Sequence, residues 1–185
     1  MSVPVTGRFA PTPSGRLHLG NLLCALLAYL SARHAGGRFL LRIEDLDAPR
    51  CPKHLCDAAI QDLTWLGITW DEPPLFQSER GEVYQRYARQ LEQKGLLYPC
   101  FCTRAQLHAA AAPNRGDDNP VYAGTCAHLS PEEIAERMKT RRPAIRLRVP
   151  DETISIWDRQ YGEYSEYMPR DCGDFIIRRS DGLFG

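Results

Sequence analysis

The sequence lacks a long uninterrupted hydrophobic run and lacks an excess of charge of either sign. A membrane-spanning helix needs about 20 consecutive apolar residues, and no segment of the 185 residues approaches that length. The N-terminus does not show the basic-then-apolar layout of a secretory signal peptide. The 23 basic and 23 acidic side chains cancel, so no global field attracts the chain to nucleic acid or to an anionic membrane. These absences predict a cytoplasmic globular protein that has no membrane partner.

The cysteines lack the regular, even-numbered spacing of a secreted disulfide scaffold. An odd set without such spacing favours reduced thiols and metal binding over disulfide bridges. There is also no internal repeat, and 43% hydrophobic residues are enough for the core of one domain with a small appendage. The seven cysteines are Cys24, Cys51, Cys56, Cys100, Cys102, Cys126 and Cys172.

A loop rich in glycine and proline lies near the start of the chain and leads directly into an apolar segment. It covers residues 8–21, RFAPTPSGRLHLGN. Gly15 and Gly20 allow a backbone to lie close to a phosphate. His18 offers a ring donor beside the first amides of a helix, where an anion is favoured. The loop therefore predicts a site for nucleotide phosphates, although a lone His-x-Gly motif is far more often an ordinary surface loop.

The segments around this loop predict a β-α-β unit. A strand over Gly7–Pro11 is followed by a helix over Leu22–His34, whose density of apolar residues predicts that it is buried, and by a strand over Arg38–Ile43. Ligands of such units bind at the C-terminal ends of the parallel strands. Because the loop and Glu44 both follow strand ends, we expect them to face each other across one pocket.

Three carboxylates, Glu44, Asp45 and Asp47, follow the second strand directly. One of them could pair with a substrate ammonium group, while Arg8 binds a carboxylate of the same amino acid. The alternative is that the acids cap the next helix and pair with neighbouring arginines such as Arg42. For Asp45 and Asp47 the residues favour neither interpretation.

Cys100, Cys102 and Cys126 are candidate metal ligands. Three thiolates on two short loops can meet on a tetrahedral Zn²⁺. The Cys-x-Cys spacing is less diagnostic than Cys-x-x-Cys, so buried free cysteines are the alternative. His128 is the ordinary choice for the fourth ligand, because imidazole binds zinc far more often than phenol does. Four protein ligands would make the site structural and not catalytic.

Further elements follow from apolar spacing and from capping signals. The densest basic stretch, from Arg137 to Arg148, is more often a solvated face than a binding surface. We predict helices over Lys53–Leu66 and about Glu79–Lys94, capping boxes at Thr103–Gln106 and Ser130–Glu133, a polar loop over Ala109–Asn119, and strands over Ala144–Val149, Thr153–Trp157 and Asp174–Arg179.

Two long motifs, in this order, resemble the glutamyl branch of the class I aminoacyl-tRNA synthetases. Residues 8–21 are similar to the His-Ile-Gly-His-type signature after the first Rossmann strand, with Asn21 in place of the second histidine. Residues 37–47, GRFLLRIEDLD, are similar to the next strand and its acidic end. The resemblance implies an α/β fold, the first part of a Rossmann-type class I catalytic domain with a small zinc-binding insertion. Its expected parts are 1–97, the first half of the catalytic domain; 98–130, the insertion; and 131–185, a connecting α/β segment.

The same resemblance implies the site residues. Residues that hold ATP, with Mg²⁺, would be Thr12, Gly15, His18, Gly20 and Asn21, of which the last three are catalytic. Residues that contact L-glutamate would be Arg8, Phe9, Ala10, Pro11, Thr12 and Glu44. One structural Zn²⁺ would be held by Cys100, Cys102, Tyr122 and Cys126, because residues 122–126, YAGTC, resemble a Tyr-x-x-x-Cys element of one relative of the glutamyl enzymes. Tyr122 is therefore preferred to His128.

Three later segments resemble the branch that attaches glutamate to the queuosine base of tRNA(Asp): residues 98–104, 145–151 and 173–184. This implies activation of glutamate as glutamyl-adenylate and its transfer to the wobble-position base by a monomeric ligase. One alternative is the N-terminal part of an ordinary glutamyl-tRNA synthetase, an enzyme that generally activates glutamate only when tRNA is present. The other alternative is a non-catalytic, zinc-containing synthetase paralogue that binds nucleotide or RNA.

The last residues do not complete the pattern of the family. Asp181–Gly182 predicts a turn, and Leu183–Phe184 begins a strand for which the sequence offers no partner. No segment matches the Lys-Met-Ser-Lys-Ser-type loop that class I synthetases carry in the second half of the catalytic fold. The sequence therefore has the features of a truncated one, and we expect the 185-residue chain alone to be inactive or nearly so.

Overall fold

The computed structural model describes residues 4–103, 105–106 and 121–185. It contains two compact units, Met1–Tyr84 and Gln85–Gly185. Within the described residues, no helix has the length and apolar character needed to cross a bilayer. The predicted loop over Ala109–Asn119 lies outside them. The expected division at 97 and 130 stays a prediction.

The first unit is built on a three-stranded parallel sheet with the order β1-β2-β3. The predicted β-α-β unit and the helix over Lys53–Leu66 are confirmed to within a few residues. The elements are β1 (Thr6–Phe9), α1 (Leu19–His34), β2 (Arg38–Ile43), α2 (Lys53–Trp65), β3 (Leu75–Phe76), a 3₁₀ turn (Gln77–Arg80) and α3 (Gly81–Gln93), which continues into the second unit.

The core of the first unit lies between the sheet and its helices. Alternate residues of β2, namely Phe39, Leu41 and Ile43, are buried on one face of the sheet because side chains of a strand point to its two faces in turn. Gly7 of β1 faces α1, where a Cβ would lie 2.7 Å from the Cβ of Ala32. Only glycine permits this approach, which fixes α1 and the loop before it against the sheet.

The prediction that the first helix is buried is wrong. Only Ala25 and Ala32 of α1 are fully buried. The helix packs on the core through these alanines and through Leu22, Leu26 and Tyr29, which are partly buried. Its other large residues lie on the outer side, and apolar density alone does not show which side of a helix has a partner. Four leucines of this outer side are 52–83% exposed: Leu19, Leu23, Leu27 and Leu30.

The second unit contains an antiparallel sheet with the order β4-β5-β8 and a separate hairpin, β6-β7. The three predicted strands in this region are confirmed, whereas β4 and β7 were not predicted. The elements are β4 (Leu97–Cys100), α4 (Pro131–Met138), β5 (Ala144–Leu147), β6 (Thr153–Asp158), β7 (Gly162–Tyr167), α5 (Met168–Asp171) and β8 (Phe175–Arg178).

Both predicted capping boxes are confirmed. The Ser130 hydroxyl accepts from the Glu133 amide, and the Glu133 carboxylate accepts from the Ser130 amide, at the start of α4. Thr103 and Gln106 make the same reciprocal pair, at 2.8 and 3.1 Å. Each box satisfies two amides that the first helical turn leaves without partners.

The prediction that Leu183–Phe184 has no pairing partner is also wrong. Gly182, with φ of +97°, forms the expected turn. The amide of Arg179 donates to the carbonyl of Leu183 at 2.8 Å, and the amide of Gly185 donates to Ile177 at 3.0 Å. The segment therefore folds back on β8, a pairing that depends on the turn and not on apolar pattern.

Candidate functional site

The proline-rich loop and Glu44 meet at the C-terminal ends of β1 and β2, as expected. The Thr12 hydroxyl donates to Glu44 Oε2 at 3.0 Å. The amide of Glu44 donates to the Pro11 carbonyl at 2.9 Å. Pro11 and Pro13 are buried, so the loop is anchored to the unit on either side of Thr12. The sheet edge thus presents a carboxylate and a loop backbone to one region.

Glu44 also makes an ion pair with Arg42, whose Nη2 lies 2.5 Å from Glu44 Oε1. Both side chains are about 29% exposed. An ionised carboxylate offers about four acceptor positions, so one hydrogen bond on each oxygen leaves capacity for a ligand ammonium. Glu44 therefore does pair with a neighbouring arginine, as the alternative interpretation predicted. Its carboxylate can still accept a hydrogen bond from a ligand.

Asp45 has a structural partner. Its Oδ1 accepts from the Ser78 amide at 2.9 Å, and its Oδ2 accepts from the Ser78 hydroxyl at 2.6 Å. These bonds tie the segment after β2 to the 3₁₀ turn. Asp45 thus has a structural role, but it does not cap the next helix, α2, whose N-cap residue Pro52 makes no side-chain cap bond.

Arg8 projects from the face of the sheet opposite to the buried residues of β2. It pairs in register with Leu40, which is two residues from Arg42 and therefore on the same face. Arg8 is exposed, and among the described residues it forms no ion pair. The strand ends therefore carry two guanidinium groups on one face, of which one holds Glu44.

His18 and Asn21 form the N-terminal cap of α1. His18 Nδ1 accepts from the Gly20 amide at 3.1 Å, and Asn21 Oδ1 accepts from the His18 amide at 3.2 Å. Since Nδ1 is an acceptor, the neutral ring carries its proton on Nε2. A Cβ on Gly20 would lie 3.1 Å from His18 Cε1, so glycine leaves room for the ring. The Nε2–H of His18 and the side-chain amide of Asn21 are donors at a helix N-terminus, where anions bind.

The sulfur atoms of Cys100, Cys102 and Cys126 all lie within 4.8 Å of one another. The Tyr122 hydroxyl is 3.5 Å from Cys100 Sγ and 3.8 Å from Cys102 Sγ. Zn–S bonds of about 2.3 Å in a tetrahedron put sulfurs about 3.8 Å apart, and a Zn–O bond of about 2.0 Å puts the oxygen about 3.5 Å from each sulfur. The separation of 3.6 Å between Cys102 and Cys126 also fits this geometry. His128 is exposed and does not belong to the group found among the described residues.

The surroundings of this cluster shift the pKa values of its members in different directions. Burial raises the pKa of the Cys102 thiol to about 11. Burial also raises the pKa of Cys100, but its hydrogen bonds with the Arg146 guanidinium and with the Tyr122 hydroxyl outweigh the effect of burial, so this pKa is lowered. The pKa of Tyr122 is raised, first by burial and then by its bond to Cys100. Cys100 is thus the thiol of the pair that ionises more readily.

Residues 4–183 match the family described as "tRNA synthetases class I (E and Q), catalytic domain". The chain belongs to this family. The predicted α/β class I synthetase fold is thereby confirmed, and the cysteine cluster could hold a metal ion.

Named relatives within this class I family come from both expected branches. A "Glutamyl-Q tRNA(Asp) synthetase" of Symbiobacterium thermophilum is 48% identical, with 97% of this chain and 58% of the relative covered. A "Glutamate--tRNA ligase 2" of Alkalilimnicola ehrlichii is also 48% identical, with 96% and 39% covered. The resemblance to the glutamyl-queuosine branch is confirmed, and the chain spans little more than half the length of such relatives.

A solved class I structure has the same fold. It is a glutamate tRNA ligase from Elizabethkingia meningosepticum in complex with its amino acid, with a TM-score of 0.78 and 31% identity. The match covers 99% of this chain and 40% of that one.

Three arginines of the predicted basic stretch turn toward the cysteine loops of this synthetase unit, and for the buried Arg146 the expectation of a solvated face is wrong. Arg141 donates to the Phe101 carbonyl at 2.8 Å, and Arg148 donates to Ala127 at 3.0 Å. Arg146 is buried. The sequence did not predict these contacts of the three arginines. They depend on the register that pairs residues 144–147 with the cysteine-bearing β4, and a high content of basic residues does not reveal strand register.

Proposed function

We propose that this chain supplies the ATP and glutamate sites of a ligase that forms glutamyl-adenylate and transfers the glutamyl group to queuosine in tRNA(Asp). The observation that carries the proposal is the arrangement around one loop: donors at the N-terminus of α1 follow it, and Thr12 within it is bonded to Glu44. A phosphate and an amino acid bound on this loop would be held side by side. The proposal includes a cytoplasmic, monomeric enzyme.

The ATP end of the site would consist of His18, Gly20, Asn21 and the backbone near Gly15, with Thr12 beside them and Mg²⁺ on the phosphates. In the described structure nothing lies within 4 Å of a Cβ built on Gly15, so the fold itself does not require glycine there. Close approach of a ligand is a reason for it. Donors that bind the charge developing on the α-phosphate more tightly than the ground state accelerate adenylate formation.

The glutamate end would consist of Glu44, which binds the substrate ammonium, and Arg8, which binds a carboxylate. The side chain of Phe9 packs against the core, so at Phe9 the backbone is the group available for contact. The Pro11 carbonyl accepts from the Glu44 amide, so Pro11 would act by positioning Glu44, and Ala10 would contact glutamate between them. Thr12 would fix the Glu44 carboxylate in the orientation that the ammonium meets. This arrangement would bind both the positive and the negative charge of an amino acid that has an acidic side chain.

We propose that Cys100, Cys102, Tyr122 and Cys126 hold one structural Zn²⁺. The separations of sulfur and oxygen support this ligand set, and the exposure of His128 favours Tyr122 as the fourth ligand. With four protein ligands no position is left for water or substrate, so the ion would stabilise the loops and not take part in the reaction.

The group that accepts glutamate is the queuosine base of tRNA(Asp) in this proposal. The names of the relatives include both glutamyl-Q tRNA(Asp) synthetases and glutamate–tRNA ligases at equal identity. The segments at residues 98–104, 145–151 and 173–184 favour queuosine. An ordinary glutamyl-tRNA synthetase is the second candidate, and the third is a non-catalytic binding module.

Glutamate-dependent exchange of pyrophosphate into ATP tests the proposal, with and without tRNA. The assay uses the protein of the complete reading frame and, in parallel, the 185-residue chain, which lacks a Lys-Met-Ser-Lys-Ser-type segment and which we expect to be inactive. Exchange without tRNA supports the queuosine branch, and exchange only with tRNA supports the ordinary synthetase. Absence of exchange in both conditions contradicts the proposed activity, and wild-type exchange by the 185-residue chain contradicts the expected inactivity.

Substitution of the ammonium-binding carboxylate sharpens this test. Glu44→Gln should lower exchange by about 100-fold or more, because a charge-assisted bond to the ammonium is lost. Glu72→Gln is the matched control, since Glu72 pairs with Arg38 on the exposed surface of the same unit and should leave exchange unchanged. Equal exchange by Glu44→Gln and wild type would remove Glu44 from the site.

A further inference from the structure

Arg146 is a buried cation beside the cysteine cluster. It is only 5% exposed. Its guanidinium carbon lies 3.6 Å from the centroid of the Tyr122 ring, and its Nη1 donates to the backbone carbonyl of Asp174. Its Nε is buried and has no hydrogen-bond partner among the described residues. The side chain thus faces a proposed metal ligand with part of its hydrogen-bonding capacity unused.

No carboxylate in the described part of the chain forms an ion pair with Arg146. The acid closest in the network, Asp174, uses its carboxylate elsewhere, because Oδ2 accepts from the Tyr98 hydroxyl at 2.6 Å and Oδ1 accepts from the Val149 amide at 2.8 Å. Arginine stays charged under all ordinary conditions. A buried charge without a counter-charge is strongly unfavourable, so the position of Arg146 calls for a negative partner.

The cysteine cluster supplies such a partner when it holds a divalent metal ion. Metal-bound cysteines are thiolates, and three thiolates around one divalent cation carry one net negative charge. We infer that Arg146 is the counter-charge of this metal site and the residue that positions Tyr122 in it. The inference rests on the proposed zinc site and extends it to a residue that is not itself a ligand.

The contacts of the neighbouring arginines distinguish Arg146 from them. Arg141 and Arg148 contact the loops through the backbone carbonyls of Phe101 and Ala127, so they hold loop backbone. Arg148 lies over the ring of Tyr98, at 5.0 Å, and Tyr98 is not a proposed ligand. Arg146 alone of the three lies over the Tyr122 ring, a cation–π arrangement that leaves the hydroxyl of Tyr122 at the sulfur atoms. One buried arginine would therefore both orient a ligand and neutralise the charge of the complex.

Metal binding by the purified chain tests this inference. Affinity for Zn²⁺ is measured by competition with a chromogenic chelator, and Co²⁺ absorption reports the tetrahedral thiolate environment. Loss of an outer partner of a metal site costs about 10- to 100-fold in metal affinity, and we expect a loss of this size for Arg146→Met. Arg146→Lys keeps the charge and should lose less. Arg178→Met, an exposed arginine on β8 of the same sheet, is the matched control and should bind as wild type does.

A second readout separates a counter-charge from simple packing. Without metal, Arg146→Met should unfold at the same denaturant concentration as wild type or at a higher one, because an uncompensated buried charge has been removed. With Zn²⁺ it should unfold at a lower concentration than wild type. A packing residue would lower the midpoint in both states.

The outcomes separate the inference from the proposal on which it rests. Wild-type affinity in Arg146→Met, or equal losses in Arg146→Met and Arg146→Lys, would overturn the role of Arg146 and leave the metal site intact. Absence of Zn²⁺ and Co²⁺ binding in the wild type would overturn the metal site, and the counter-charge role with it. Far-UV circular dichroism verifies that each variant is folded.

Discussion

His18 and Asn21 each use one side-chain atom to begin α1 and leave another atom for a ligand. Nδ1 of His18 and Oδ1 of Asn21 accept backbone amide bonds. The donors on the same two side chains, Nε2–H and the amide group, take no part in the cap. A helix start and a proposed phosphate site are therefore made from the same residues.

Substitution of Asn21 can separate these two uses. Asn21→Asp keeps the acceptor that caps the helix, so stability should be equal or slightly higher because an acid near a helix N-terminus is favourable. It removes the amide donor and adds a negative charge, so ATP affinity should fall by about tenfold or more. Calorimetric titration with ATP and urea unfolding measure the two effects.

The control variant is Asn21→Ala, which removes the cap as well as the donor. It should cost about 1 kcal/mol of unfolding free energy. If Asn21→Asp binds ATP as wild type does, Asn21 acts only as a cap.

A second residue-scale prediction concerns the buried hydroxyl of Tyr98, which donates to Asp174. Tyr98→Phe leaves a carboxylate oxygen without this donor and should cost about 1–3 kcal/mol of unfolding free energy. Burial, then the bond and charge of Asp174, raise the pKa of Tyr98. Because folding raises the pKa of Tyr98, its protonated hydroxyl contributes fully to the free energy of unfolding at pH values below its unfolded-state pKa of about 10. This contribution declines as the pH rises above that pKa.

Urea unfolding at neutral and alkaline pH measures this contribution. Tyr164→Phe is the matched control, because the exposed Tyr164 hydroxyl donates to Glu166 on the surface and its loss should be nearly neutral. Equal stability of the Tyr98 and Tyr164 variants would contradict the prediction.

At the scale of elements, the close packing of β1 against α1 depends on the absence of a Cβ atom at Gly7. Gly7→Ala would put a Cβ 2.7 Å from the Cβ of Ala32 and 3.1 Å from the Ala28 carbonyl oxygen. Overpacking of this kind costs about 1–3 kcal/mol, and we expect such a loss in thermal unfolding. Gly81→Ala, with no atom within 4 Å and φ of −53°, is the control and should leave stability unchanged or slightly raise it. A neutral Gly7→Ala would show that the helix shifts without cost.

The elements that the sequence predicted have a strong local signal, and those it missed depend on partners. β2 is a largely apolar segment, RFLLRI, directly after a Gly-Gly pair, and was predicted at its observed bounds. β4, with Pro99 in a four-residue strand, and β7, which has polar residues on both faces, have no such pattern. The exposed side of α1 was missed because density of apolar residues was taken as burial.

In the candidate site, too, the sequence predicted the positions that follow from a local rule and missed those that depend on distant partners. The positions of Thr12 and Glu44 followed from the rule that parallel strands end together, and the contact at 3.0 Å confirms it. The pairing of Arg42 with Glu44 was one of the two interpretations that the sequence left open, whereas the place of Arg146 depends on strand register and on side-chain direction. Neither quantity can be obtained from spacing along the chain.

At the scale of the whole molecule, the two units have cores of different character. The buried cluster of the first unit is aliphatic and aromatic, whereas that of the second comprises Tyr98, Cys100, Phe101 and Cys126. A core so small gains much of its stability from a bound metal if the zinc proposal is correct.

Removal of the metal should therefore act on the second unit. Hydrogen exchange with and without a chelator should show lost protection in β4 and β5, with the amides of β1 and β2 as internal reference. Elemental analysis should give one Zn²⁺ per chain before chelation. Unchanged protection in β4 after complete removal of zinc would contradict a structural role of the ion.

The shared use of His18 and Asn21 bears on how descendants of this chain could diverge. A copy without the proposed activity would still need both residues to begin α1, so selection on folding alone would retain them. Gly15 has no such role in the described structure, because its surroundings leave room for a side chain. On the proposed assignment of the ATP site, drift at Gly15, with the histidine and asparagine preserved, would therefore mark a lineage that does not use a nucleotide there.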